Sequence, residues 1–276
     1  MIALSDVAVL GTAGSAAAAY GGAFRRARGR SRLPPQRAWA FFAGVTVAAA
    51  AVLPPFDGWA DERLSAHMVQ HMLLMLVAPP LILLGAPITV ALVAASERTR
   101  RRVFLPILHG RTVRVLSSPP VAFLAFMVVL WGSHLTFVYE AAVRSDAVHA
   151  GEHAVYLAAA FLFWWPVVGV DPDPARLSHP GRILYLFLAM AQMAYLGSMI
   201  YGARHVLFAS YGAADPRGAL ADQQLAGGLM WTAGMFLMVP VLGFVIWDWL
   251  SKEERLETRA GAGAPAARVG QARGSE

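Results

Sequence analysis

Apolar residues in this chain fall in long blocks, not in the alternating or one-face patterns of strands and helices that border water. Seven blocks can be read, at 7–24, 38–53, 64–84, 119–139, 147–168, 183–201 and 225–250. Each approaches the ~20 residues with which a helix crosses ~30 Å of hydrocarbon. The pattern predicts an all-α fold, a bundle of seven transmembrane helices. The first block is rich in Ala and Gly and no basic region precedes it, so it reads as a retained helix rather than a leader peptide. The second stops at Pro54 and Pro55. Pro79, Pro80 and Pro87 should break the third in its later half, leaving 88–95 as a re-entrant or interfacial piece.

Between the blocks, basic residues alternate sharply. Of the 23 Lys and Arg, 19 lie between blocks one and two, three and four, five and six, or after the last; only Arg63, Arg144, Arg204 and Arg217 lie in the other loops. Basic loops stay cytoplasmic, so the C-terminus is expected in the cytoplasm and the N-terminus outside. The division expected is two N-terminal helices with a basic cytoplasmic loop (1–63), a five-helix core (64–250) and a disordered cytoplasmic tail (251–276).

Composition narrows the class further. With 57% hydrophobic and 14% charged residues, the chain has too few polar side chains to cover a soluble globule of 276 residues. The net charge of +6 is accounted for by the loop bias and by anionic lipid, and no nucleic-acid motif is present. Cysteine is absent, which excludes disulfides and thiolate metal sites; a metal would be held by nitrogen, oxygen or thioether sulfur.

The histidines supply the candidate chemistry. His67 and His71 stand four apart in HMVQHMLLMLVAPPLILLGAP, and His149 and His153 repeat that spacing in HAGEH, with Glu152 beside them. On a helix, i and i+4 share a face, which suits a common ligand. With His134 in WGSHLTF and His205 after block six, six of eight histidines fall at the end expected outside; His109 and His179 lie in basic inner loops. Ionisable groups at a bilayer edge are costly without a task, so the set reads as a transition-metal site open to the extracytoplasmic space.

Met68 and Met72 begin a stripe continued by Met75, and thioether favours Cu(I) over Cu(II) or zinc. Most other methionines, including Met193 and Met230, read as helix-packing filler. Asp222 opens DQQLAGGLMW, where it can serve as a helix N-cap or as a partner to a ligand histidine. His205, Asp222 and Glu152 form a second tier of candidates. Gly197, Gly227 and Gly228 permit close helix approach, and the tryptophans of FWWPVVGVDPDP suit an interfacial belt.

The runs HMVQHMLLMLVAPPLILLGAP, WGSHL, HAGEHAVYLAAAFLFWWPVVG and DQQLAGGLMW resemble the CtaG family of bacterial cytochrome c oxidase assembly factors over about 64–249. The resemblance implies a seven-helix protein of the bacterial cell membrane that helps mature haem-copper oxidase by handling copper on the outer side. Its expected partners are oxidase subunits, a soluble extracytoplasmic copper carrier and the bilayer. The family's motif histidines match His67, His71, His134, His149 and His153. Two alternatives stand beside it. One is an intramembrane zinc hydrolase, with three histidines and Asp222 on zinc and Ser133 toward an oxyanion; the other is a haem-binding electron carrier between facing histidines, which no haem motif supports.

Overall fold

A computed structural model describes residues 4–135, 145–172, 176–212 and 215–263, and every regular element among them is helical. In chain order these are α1 (Leu4–Arg28), α2 (Gln36–Ala51), α3 (Phe56–Glu62), α4 (Leu64–Met72), α5 (Ala78–Leu84), α6 (Pro87–Ala94), α7 (Glu97–Thr99), α8 (Leu105–Leu108), α9 (Arg111–Leu116), α10 (Pro119–Ser133), α11 (Asp146–Val168), α12 (His179–Gly202), α13 (Ala209–Gly212) and α14 (Pro216–Gly263).

Four stretches are long and apolar enough to cross a bilayer: Asp6–Arg28, Leu64–Ala94, His179–Gly202 and Arg217–Thr258. A fifth joins α2 to α3 across a 44° bend. Their apolar side chains face outward as well as inward: Trp39, Leu184, Phe236, Phe244 and Trp247 are exposed, as lipid-facing residues are. The protein is thus a helical membrane protein with four or five such spans among the described residues, not the seven expected. The shortfall has local causes. α10 is only 15 residues long and ends at Gly132–Ser133; the block expected to run to Tyr139 passes outside the described residues. The first turns of α11 carry His149, Glu152 and His153, which cut its apolar length. At the far end, α14 continues to Gly263. Residues 251–263, expected in a disordered tail, are therefore helical, because KEERLETR is made of strong helix formers and Lys252 bonds Asp248 one turn back at 2.6 Å.

Pro79 and Pro80 do not break the helix. A π-helical turn, Leu73–Val77, joins α4 to α5, with the Ala78 amide reaching back to the Leu73 carbonyl. Pro79 cannot donate to the Met75 carbonyl one turn earlier. That carbonyl is met instead by the indole Nε1 of Trp164, which donates to it at 2.8 Å. Trp164 is accordingly core, fully buried, and not part of an interfacial belt. The real break comes at Gly85–Ala86, where Ala86 takes φ 51° and Pro87 starts α6.

Two hydrophobic clusters hold the molecule. The larger joins α5, α10, α11, α12 and α14 around Phe126, Phe163, Trp164 and Leu186. The smaller joins α1, α2 and α6, where Tyr20 stacks on Phe41 at 3.7 Å and donates its hydroxyl to the Gly85 carbonyl at 2.7 Å. α12 and α14 meet backbone to backbone. A Cβ on Gly227 would lie 2.5 Å from the Tyr201 nitrogen, and one on Gly197 would lie 2.9 Å from the Gly227 carbonyl. No other residue fits this crossing.

Candidate metal centre

The starts of α4 and α11 lie at the same end of the bundle, so the two helices run in the same direction with their histidine pairs in register. Within each helix the one-turn spacing brings rings together, His67 to His71 at 4.1 Å between centroids and His149 to His153 at 4.3 Å. Across the helices, His67 stacks on His149 at 5.3 Å and His71 faces His153 at 5.8 Å. Four imidazoles thus form one compact group, and Glu152 projects into it. A donor atom from each of His67, His149 and Glu152 lies within 4.8 Å of the other two. The Glu152 carboxylate is 3.9 Å from His71 Nε2, too far for a hydrogen bond.

Buried polar atoms are nearly always paired, so the state of these atoms is informative. Both ring nitrogens of His71, Nε2 of His149 and His153, and both Glu152 oxygens are shielded from solvent with no hydrogen-bond partner among the described residues. Leaving each of them unmet costs about 1–3 kcal/mol. Such a group has the makings of a multidentate cation site: convergent lone pairs, one compensating carboxylate and donor atoms shielded from solvent.

His134 adds a directional detail. Its Nδ1 lies 2.7 Å from the Leu130 carbonyl, which can only accept, so in the neutral ring Nδ1 carries the proton and Nε2 keeps its lone pair. That Nε2 is buried and unpartnered. A backbone carbonyl fixing the tautomer of a ligand imidazole is the usual support for metal binding. Ser133 is occupied with the Val129 and Leu130 carbonyls at 2.8 and 3.2 Å.

The structure brings together His67, His71, His149, His153 and Glu152, with His134, Met68 and Met72 alongside, where they line a small cavity with His71. Two second-tier residues stand apart. Asp222 is turned to Ser65, accepting from its hydroxyl and, at 3.2 Å, from its amide, and so caps the start of α4 from across the chain. His205 is exposed; its carbonyl accepts from Gln223 at 3.1 Å. Tyr156, not singled out in the sequence, packs its ring 4.3 Å from His71; its position one turn after His153 was the available signal. Gln70 is fully buried and braces the centre from behind, donating to the Ala51 carbonyl at 2.8 Å and to Asp57 at 3.0 Å.

The centre is not sealed. A cleft of about 830 Å³ between α1, α2, α3 and α11 reaches His149 and His153, and Asp6, Asp57 and Asp61 line it. Negative side chains along an approach raise the local concentration of cations.

Fold and site together define a polytopic helical membrane protein with a buried imidazole–carboxylate centre. The sequence profile of the cytochrome c oxidase caa3 assembly factor family matches residues 18–252, and the chain belongs to that family. Uncharacterized proteins of Mycobacterium bovis and Mycobacterium tuberculosis are each 31% identical to it over 215 residues, which is 73% of this chain and 32% of theirs. An uncharacterized protein of Mycobacterium leprae is 26% identical over 211 residues with the same coverage. The chain spans about a third of the length of these relatives. No solved structure matches it.

Proposed function

We propose that this protein carries copper, Cu(I) in preference to Cu(II), on the extracytoplasmic face of a bacterial plasma membrane and hands it to a haem-copper cytochrome c oxidase subunit or to a soluble copper carrier serving one. The family supplies the oxidase; the imidazole cluster supports the metal. The observation that carries the reading is the convergence of His71, His149, His153 and Glu152 with buried donor atoms that have no hydrogen-bond partner among the described residues. The loop-charge bias supports an outward-facing position for this end of the bundle. Transfer needs no chemical turnover: ligands that can be exchanged one at a time, and a route in, are sufficient.

One observation favours a second reading. Two histidines and Glu152 within 4.8 Å are also a donor set for catalytic zinc. In that reading Glu152, not Asp222, is the carboxylate, and a metal-bound water does the work.

A strain lacking the protein separates the two. Complementation with the wild type should restore oxidase activity and the copper content of the purified oxidase, and His67→Ala with His71→Ala should restore neither. Added copper should partly replace the missing protein by mass action. A variant that restores oxidase copper despite losing both histidines would overturn the proposal. Zinc in the purified protein, with no response of the strain to copper, would favour the hydrolase.

A further inference from the structure

Beside the imidazole cluster, at the level of the π-helical turn, lies a cavity of about 20 Å³, roomy enough for one small ion or water. Five methionines line it: Met68, Met72 and Met75 from the α4 segment, Met193 from α12 and Met230 from α14. His71 and His134 also line it, and among the described residues no carboxylate does. The glycine crossing explains part of this convergence. It draws α12 and α14 into backbone contact, and Met193 stands one turn before Gly197 while Met230 stands one turn after Gly227.

Methionine is the side chain that ordinarily fills irregular gaps, because it is unbranched and flexible. Five of them converging from three helical segments should therefore leave the least void in the core. They leave one here, and two imidazoles border it. The Leu130 hydrogen bond holds the proton of His134 on Nδ1, so its buried Nε2 keeps a lone pair with no hydrogen-bond partner among the described residues.

We propose that this cavity is a second cation position, selective for a soft monovalent ion such as Cu(I), held by thioether sulfur from at least two of these methionines with His134 and His71. His71 belongs to both positions. It lines the cavity and stands 3.9 Å from Glu152 in the imidazole cluster. The two positions differ in chemistry. The outer group, with Glu152 and imidazole, accepts Cu(II), zinc or Cu(I); the inner one, built of uncharged thioether and imidazole, rejects divalent ions, because it lacks an anion to offset the second charge and has soft donors. An ion passing through His71 would be sorted by oxidation state. The proposal rests on the copper-handling reading and adds a site to it.

The test is copper titration of the purified full chain in detergent under reducing conditions, read by stoichiometry and by X-ray absorption at the copper edge. Expected are two Cu(I) per chain with sulfur in the copper shell. In Met72→Leu/Met193→Leu/Met230→Leu, which keeps volume, one Cu(I) and no sulfur should remain. His67→Ala/His149→Ala should leave the sulfur-ligated ion and lose the other. Zinc should bind once to wild type and to the methionine variant alike. One Cu(I) per wild-type chain, with nitrogen and oxygen scatterers only, would overturn the inference and leave the copper-handling reading standing; no Cu(I) at all would overturn both. Should the triple variant fail to fold, the wild-type absorption spectrum decides alone, since sulfur in a chain without cysteine can come only from methionine.

Discussion

The two ends of this bundle differ in where their buried polar atoms point. At the arginine-rich end, buried or half-buried polar side chains close off the backbone. Asp171 accepts from the Ile88 and Thr89 amides at 3.2 and 2.7 Å and from the Thr89 hydroxyl at 2.7 Å, capping the start of α6. Arg30 caps its other end, donating to the carbonyls of Val93, Ala94 and Ala95. Of the two histidines there, His179 is bonded, its Nε2 meeting Asp248 at 3.0 Å. At the histidine end, Asp222 and the amide nitrogen of Gln70 are bonded as structural groups should be, yet His71, Nε2 of His134, His149 and His153, and the Glu152 carboxylate are buried with no hydrogen-bond partner among the described residues. A fold able to satisfy Asp171 three times over has no general difficulty with polar burial. Single buried atoms are unmet toward the arginine-rich end too, Ser117 Oγ, Trp165 Nε1 and the Tyr185 hydroxyl, but among the described residues such atoms converge on one space at the histidine end, and such clusters collect at functional sites.

Four measurements break or sharpen that contrast. The largest effect is expected from His67→Ala with His71→Ala, which should weaken copper binding by more than about 100-fold while the melting temperature holds or rises, because an uncompensated polar group is removed. Isothermal titration and thermal unfolding of the same preparations would show it, and a fall in both together would reduce the cluster to a structural role. Next comes Asp171→Ala, which strips the α6 cap and should cost about 1–3 kcal/mol of stability without altering metal affinity. Glu152→Gln keeps shape and removes charge; it should weaken Cu(II) and zinc by roughly tenfold and Cu(I) much less, measured by competition with a chromophoric chelator. The smallest change is expected from His179→Ala, about 1 kcal/mol or less of stability with copper binding intact. Copper affinity that fell with His179→Ala would erase the distinction between the two ends.

Orientation is open to a simpler check. A reporter fused after Glu276 should be active only if it works in the cytoplasm, and one inserted near Gly212 only if it works outside. The reverse pattern would place the histidine end in the cytoplasm and remove the extracytoplasmic route.

Much of the centre could be read in the chain because its rule is local. Two i, i+4 histidine pairs must each put their rings on one helix face, whatever surrounds them, and blocks of apolar residues must be buried or face lipid. The charge bias of the loops and the family motifs are likewise written along the chain. Span count was less legible, since the length of an apolar block does not say where a helix ends. Pro79 and Pro80 signalled a break that the π-helical turn and Trp164 prevented, and a distant indole cannot be inferred from a proline. The same limit holds at the site. Glu152 gained its central place, Asp222 was drawn off to Ser65, and Met193 and Met230 came to face Met72 because helices far apart in sequence packed in one particular way. Sequence by itself determined the donors, their spacing and the apolar setting, all consequences of helical geometry over a few residues. Only the tertiary structure decided which donors share a space and which are left without partners, because both depend on how α4, α11, α12 and α14 approach one another, and that is set by contacts such as Gly197 against Gly227.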